Sequence, residues 1–201
     1  MNEVKRYDIL IAGVGGQGTV LASRLLAEAA IASGRFVRTA ETIGMSQRGG
    51  CVVSHVRIGA ENCASVIPLG KADLLIAFEV GEAARSLPRL AKGAKCLVNT
   101  QAVKPVSASL SGGSYDVAGL TDYISNEVPG AAFVDGYRLA YEAGSVKAIN
   151  VVLLGAATAL GFLPFSKELM EKVIADNVPQ KFRELNIKAF NAGYEGVECK
   201  A

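Results

Sequence analysis

Tyr7-Asp8-Ile9-Leu10-Ile11-Ala12 runs directly into Gly13-Val14-Gly15-Gly16-Gln17-Gly18, and this join decides the fold. The first six residues are mostly apolar and short enough for one strand. The next six hold four glycines, and a run with helical character follows from Thr19 to Ala32. Glycines at a strand-to-helix turn let the backbone pass close to a ligand. The free N–H groups of the helix start favour an anion such as phosphate. The spacing Gly13-x-Gly15-x-x-Gly18 also fits the G-x-G-x-x-G pattern of dinucleotide-binding folds.

Outward from this join, strands and helices alternate. The sequence predicts strands at Asp8–Ala12, Phe36–Glu41, Cys51–Ile58, Leu74–Phe78, Lys95–Asn99 and Ala131–Asp135. Leu74-Leu75-Ile76-Ala77-Phe78 and Cys96-Leu97-Val98 are apolar without alternation, as in strands covered on both faces. Cys51–Ile58 alternates instead: His55 and Arg57 share one face, Val56 and Ile58 the other, which predicts a polar face near solvent or a partner. Helices are predicted at Thr19–Ala32, Glu82–Leu90, Leu120–Asn126, Ala148–Leu160, Lys167–Asp176 and Gln180–Ala192. Ser166 before Leu169 and Met170 has the pattern of an N-cap. Val106–Asp116, rich in Ser and Gly, predicts a loop or short hairpin. The expected architecture is a single α/β domain over residues 1–201. It is a three-layer α/β/α Rossmann-like sheet, mostly parallel, with a C-terminal helical extension from about residue 165 packed on the sheet or a partner.

Bulk properties narrow the function. The 201 residues suffice for a substantial core. The net charge of +2, with basic residues scattered, argues against nucleic acid. The most apolar segment, Ile149 to Leu163, contains Asn150 and falls short of the roughly 20 residues a bilayer demands, so it predicts a buried helix. The N-terminus lacks the apolar core of a signal peptide, and a cytoplasmic protein is expected. Cys51, Cys63, Cys96 and Cys199 form no C-x-x-C pair, so metal and iron–sulfur spacings are missing and ordinary buried or edge thiols are expected.

A dinucleotide site also wants an acid at the end of the next strand, and Glu41 stands near that place. Gln17, however, sits where many dinucleotide proteins carry a small apolar or aromatic residue. Glu41 also leads into the long loop Thr42-Ile43-Gly44-Met45-Ser46-Gln47-Arg48-Gly49-Gly50, and no obvious second substrate-binding domain is expected after it. Arg48 beside two glycines could present a fixed fork to a phosphate or carboxylate, or simply pair at a surface turn. His55, the one histidine, has no nucleophile in a recognised motif, so a catalytic triad is not supported. Asp135-Gly136 is expected to be a strand-end turn. Asn150 is a polar group in an apolar helix that needs a partner.

Together these segments resemble one family. Ile11-Ala12-Gly13-Val14-Gly15-Gly16-Gln17-Gly18 is similar to the opening of the gamma subunit, or gamma domain, of the 2-oxoacid:ferredoxin oxidoreductases. Met45-Ser46-Gln47-Arg48-Gly49-Gly50, running into Val52-Val53-Ser54-His55-Val56-Arg57, resembles the version in indolepyruvate ferredoxin oxidoreductase beta subunits. Pyruvate-type relatives usually carry Pro-Glu-x-Arg-Gly-Gly there, and Ser46-Gln47 tilts the resemblance to the indolepyruvate branch. Asn99-Thr100-Gln101-Ala102-Val103-Lys104-Pro105-Val106, Asn150-Val151-Val152-Leu153-Leu154-Gly155-Ala156 and Asn191-Ala192-Gly193 also fall where the family has similar elements.

The resemblance implies a subunit without cofactors of its own. The family oxidatively decarboxylates a 2-oxoacid, reduces ferredoxin and releases an acyl-CoA. Thiamine diphosphate and iron–sulfur clusters are expected on partner subunits, which carry the catalysis, with ferredoxin reached through the complex. On this chain no catalytic or metal-binding residue is expected. The implied binding residues are Gly13, Gly15, Gly16, Gln17, Gly18, Arg48, Gly49 and Gly50, facing the catalytic subunit, with coenzyme A the most plausible phosphate-bearing ligand against them. An isolated chain can self-associate as a homodimer through that partly apolar interface. Two other readings stand beside this one: a free-standing dinucleotide-binding protein using Gly13–Gly18 and Glu41, and a scaffold whose glycine loops are only packing points.

Overall fold

The computed structural model describes residues 6–43, 50–59, 61–104 and 115–198. Six strands form one sheet: β1 (Tyr7–Val14), β2 (Val37–Ile43), β3 (Cys51–Ile58), β4 (Ala72–Ala77), β5 (Leu90–Asn99) and β6 (Ala132–Val134). Their order across the sheet is β2-β3-β1-β4-β5-β6. β1, β4, β5 and β6 pair in parallel, whereas β3 lies antiparallel between β1 and β2. Among the described residues seven α-helices accompany them: α1 (Thr19–Ala32), α2 (Val80–Ser86), α3 (Val117–Glu127), α4 (Gly136–Ala143), α5 (Ile149–Ala159), α6 (Lys167–Asn177) and α7 (Arg183–Glu198).

The two-sided burial of the central strands follows from their sequence. Ile9 and Ile11 of β1, with Leu74 and Ile76 of β4, pack with α1 and α5, while Leu10, Ala12, Leu75 and Ala77 pack with Val80, Ala83 and Ile124 on the other face. Period-two alternation therefore puts apolar side chains into two separate cores, and a continuous apolar run is the result. α5 is buried from Ile149 through Thr158 because it lies between the sheet and α7. A Cβ on Gly155 would overlap the Phe190 carbonyl, and one on Gly193 the Val152 carbonyl, so these two glycines set how closely α5 and α7 approach. α6 and α7 close the structure over α1 and α5, not directly over the sheet. Ser166 caps α6 by accepting the Leu169 N–H at 3.3 Å.

Three local expectations need correction. Asp135-Gly136 is not merely a turn. The Asp135 carboxylate accepts the Arg138 N–H at 3.0 Å and starts α4, which buries Leu139, Ala140 and Ala143. The helix predicted at Glu82–Leu90 starts earlier, at Val80, because Glu79 caps it, and gives way to a 3-10 turn at Leu87–Arg89, where Pro88 lacks the N–H to continue an α-helix. The polar face of β3 is not near solvent. His55 is wholly buried and Arg57 is 3% exposed. Arg57 donates from Nε and Nη2 to the two oxygens of buried Asp8, each at 3.0 Å, and from Nη1 to the Ala64 carbonyl at 2.6 Å. The segment after β3 folds back over this face, and a sequence pattern cannot register that cover. The loop or hairpin predicted over Val106–Asp116 falls mostly outside the described residues.

Candidate functional site

The parallel strands end in a common row of loops. From β1 the chain passes to α1 on one face of the sheet; from β4 it passes to α2 on the other. The gap between the carboxyl ends of β1 and β4 is thus a topological switch point, the place where open α/β sheets bind ligands. The predicted glycine loop lies there.

Its geometry is built from its own residues. Gly16 has φ +102° and Gly18 φ +83°, a region open to glycine at little cost. Gly18 is the N-cap of α1 and offers no side-chain cap, so the first-turn N–H groups stay available. Around Gly18 the space is tight: a Cβ would stand 2.8 Å from Asn150 Nδ2, which donates to the Gly18 carbonyl at 3.4 Å. Asn150 thus finds its partner in the loop. Among the described residues nothing lies within 4 Å of a Cβ added at Gly16, the exposed crown of the loop. Gly13 is packed in the floor, where a Cβ would come within 3.0 Å or less of Gln17, Phe78 and Thr19.

Gln17 turns inward. Its Oε1 accepts the Val14 N–H at 2.8 Å, and its Nε2 donates to the Phe78 carbonyl at 3.1 Å. Asn99, at the end of β5, donates to the same carbonyl at 3.0 Å and accepts the Gly136 N–H at 2.9 Å. A continuous line of side-chain amides thereby ties the ends of β1, β4 and β5 to the head of α4.

The second glycine loop meets the first. The Gly15 N–H donates to the Gly50 carbonyl at 2.8 Å. Gly13, Gly15, Gly16, Gln17, Gly18 and Gly50 are therefore brought together, while Arg48 and Gly49 lie outside the described residues. Glu41 is not beside the loop's strand. With β3 interposed, β2 is two strands from β1, and exposed Glu41 accepts from Ser23 Oγ at 3.2 Å.

The sequence pattern did not single out Glu79. It is 2% exposed. It accepts the Glu82 N–H at 2.9 Å, the Tyr115 hydroxyl at 2.8 Å and the Val103 N–H at 3.3 Å. Burial and the Glu79 carboxylate push the Tyr115 phenol up to about 12, so it stays a donor. Glu79-x-x-Glu82 directly after an apolar strand carried the spacing of an N-terminal cap. Cys51 borders the loop opposite Val14; partial burial and Glu82 raise its thiol to about 11. His55 accepts the Ile67 N–H through Nδ1 at 3.2 Å, and burial lowers it to about 4. This structural placement gives it no part in the loop. Among the described residues no cluster of His, Cys, Asp or Glu could hold a metal ion, and no helix is long and apolar enough to cross a membrane. A cleft of about 580 Å³ between Leu87–Ala94 and Tyr123–Pro129 opens beside the start of β5, away from the glycine loops.

Comparison with known proteins places the chain among oxidoreductases. The family model described as pyruvate ferredoxin/flavodoxin oxidoreductase matches residues 8–196. Indolepyruvate oxidoreductase subunit IorB of Thermococcus kodakarensis is 38% identical over 197 residues, covering 97% of this chain and 98% of that one. The same-named subunit of Pyrococcus horikoshii is 39% identical over 197 residues, covering 97% and 98%. In the crystal structure of a keto/oxoacid ferredoxin oxidoreductase gamma subunit from Geobacter sulfurreducens, 29% identical, the fold superposes with a TM-score of 0.69 over 96% of this chain and 99% of that one.

Proposed function

The chain belongs to the pyruvate ferredoxin/flavodoxin oxidoreductase family, and from that premise we propose its part in the enzyme: one wall of a coenzyme A site shared with the catalytic subunit. It is a subunit of a 2-oxoacid:ferredoxin oxidoreductase, an enzyme that oxidatively decarboxylates a 2-oxoacid to an acyl-CoA while reducing ferredoxin. The similarity to indolepyruvate oxidoreductase subunits over almost the whole chain supports an arylpyruvate such as indolepyruvate as the oxoacid. The likeness to a gamma subunit supports work within a complex, and the cytoplasm is the compartment this reading assigns it. Thiamine diphosphate and iron–sulfur clusters, held by partner subunits, supply the decarboxylation and electron transfer.

The observation that carries the reading is the Gly15–Gly50 hydrogen bond at 2.8 Å. It holds Gly50, the end of the second glycine loop in the sequence, against the first loop. The fit to a phosphate group rests on three features: the open crown at Gly16, the uncapped start of α1, and the absence of an acidic side chain from its first turn. Arg48 adds a charge-assisted donor worth about 1.5–3 kcal/mol when it meets a phosphate. Gly13, Gln17 and Gly18 hold the loop's shape, and Gly15, Gly16, Gly49 and Gly50 let the ligand approach backbone.

Coenzyme A is titrated into the assembled complex carrying wild-type chain, Gly16→Val or Arg48→Ala. Each variant is expected to weaken binding about tenfold or more. Binding unchanged in both variants refutes the reading.

A further inference from the structure

We infer that the face at the amino ends of the parallel strands joins two copies of this chain about a two-fold axis, with Leu69 of each copy seated in the cleft of the other. The inference rests on no part of the coenzyme A reading.

The cleft comes from the path of β5. Ala72 pairs with Leu90 and Leu74 with Lys95, so Ala91, Lys92, Gly93 and Ala94 stand against Asp73 alone. Gly93, at φ +78°, lets the chain bulge out of the sheet there. β6 is only Ala132–Val134 and pairs β5 from Leu97 onward. Among the described residues no strand lies on that side of the first half of β5, and the end of α3 forms the far wall instead. What remains is the cleft of about 580 Å³. Leu87, Leu90, Tyr123 and Val128 line it, with Lys92 on the β5 wall and Glu127 on the α3 wall. It lies at the opposite end of the sheet from the glycine loops.

Beside the cleft runs an apolar ridge that is already held in shape. Ile67 is fully buried. Its N–H donates to His55 Nδ1 at 3.2 Å, and its carbonyl accepts from Arg89 Nη1 at 2.8 Å. With Ile67 pinned inward, its neighbours Val66 and Leu69 stand 44% and 67% exposed. The Gly70 N–H donates to the carbonyl of Pro88, a cleft residue, at 3.0 Å, and the Lys71 N–H to the Arg89 carbonyl at 2.9 Å. These bonds set the ridge against the edge of the cleft. A ridge fixed before contact loses little conformational entropy on docking.

An apolar ridge and an apolar-floored cleft side by side complement each other. A two-fold axis between them puts each ridge into the facing cleft, and every contact is made twice. Charge favours the same pairing. Exposed Lys71 follows Leu69 by two residues, and exposed Glu127 stands on the wall opposite Pro88. Leu69 in the cleft carries Lys71 of one copy towards Glu127 of the other, once on each side of the axis. A second copy therefore supplies what both halves of this face require, and it leaves the glycine-loop end free for the catalytic subunit.

Sedimentation velocity on the purified full chain, from about 1 to about 200 µM at low salt, tests this. The wild type is expected to form a reversible dimer with a Kd of about 10 µM or tighter. Leu69→Asp would place a carboxylate in the apolar cleft and should weaken the dimer about tenfold or more. Lys71→Glu should weaken it about fivefold, and the double variant Lys71→Glu/Glu127→Lys should return to within about threefold of wild type. All three positions are exposed, and circular dichroism confirms that the variants fold. A wild type still monomeric at the highest concentration overturns the inference. So does a Leu69→Asp variant that dimerises as tightly as wild type, or a double variant no tighter than Lys71→Glu. A monomeric wild type whose Leu69→Asp variant fails to join the catalytic subunit assigns the face to that subunit and overturns it as well.

Discussion

Replacing Arg57 with Met should cost this protein a large share of its stability, and the size follows from the surroundings of Asp8. Arg57 is 3% exposed and Asp8 fully buried, joined by two parallel hydrogen bonds of 3.0 Å. Removing one partner of such a pair strands a charge in the core, at about 3–5 kcal/mol. Arg6 Nε lies 3.2 Å from Asp8 but its side chain is 45% exposed. It can return no more than about 1 kcal/mol. The expected loss is therefore about 2–4 kcal/mol, against a total of about 5–15 kcal/mol for a typical protein. With a urea slope of about 2 kcal/mol/M, the midpoint falls by roughly 1–2 M. The double variant Asp8→Leu/Arg57→Met removes both charges. It should recover most of the loss, short of wild type by about 1 kcal/mol for the Ala64 carbonyl that loses its 2.6 Å donor. Equilibrium urea unfolding by circular dichroism measures all three proteins. A single-variant loss below about 1 kcal/mol, or a double variant no more stable than the single one, refutes the reasoning.

Three further outcomes follow from the same structure. Gly18→Ala forces φ +83° on a residue with a Cβ and brings that Cβ within 2.8 Å of Asn150 Nδ2; it should cost about 1–2 kcal/mol from the backbone alone, with the additional steric part vanishing in an Asn150→Ala background when the four proteins are compared by urea unfolding. His55 is held neutral by burial, its pKa lowered from 6.5 to about 4. Between those values the unfolded chain binds more protons than the folded one, so His55 costs nothing above about pH 6.5 and destabilises increasingly as pH falls towards 4, by up to about 3 kcal/mol. The stability of wild type relative to His55→Leu should therefore drop between pH 7 and 4.5, and a pH-independent difference contradicts this. Cys51 is exposed, yet its thiol is raised to about 11. Its rate of alkylation should keep climbing past pH 9 and be faster near neutrality in Glu82→Gln; a plateau by pH 9 contradicts it.

Much of the candidate site was legible because it is local. Four glycines between an apolar strand and a helix specify a turn whatever surrounds it, and β3 and α1 were bounded correctly from period and glycine punctuation alone. Ser166 was readable as a cap for the same reason. Glu79 was not, since its importance comes from Tyr115 and Val103, which reach it from 36 and 24 residues away. The polar face of β3 was misjudged because alternation reports that two faces differ and says nothing of what covers them. Segment 61–67 supplies that cover, through the Arg57–Ala64 and His55–Ile67 hydrogen bonds. α4 was missed because its helical signal is short, one Asp cap and three buried apolar residues, against a Gly at its first position.

By itself the sequence determined the glycine loop, the alternation of strands and helices, and the family. Those properties depend on backbone conformation, hydrophobic period and short motifs, all carried by neighbouring residues. Only the tertiary structure decided which strands adjoin. Setting β3 between β1 and β2 removed Glu41 from the loop, and setting β4 beside β1 put the Phe78 carbonyl within reach of Gln17. The physical reason is that a hydrogen bond acts over about 3 Å. Whether an amide meets a carbonyl 61 residues away in the chain is settled by packing, which no local pattern encodes.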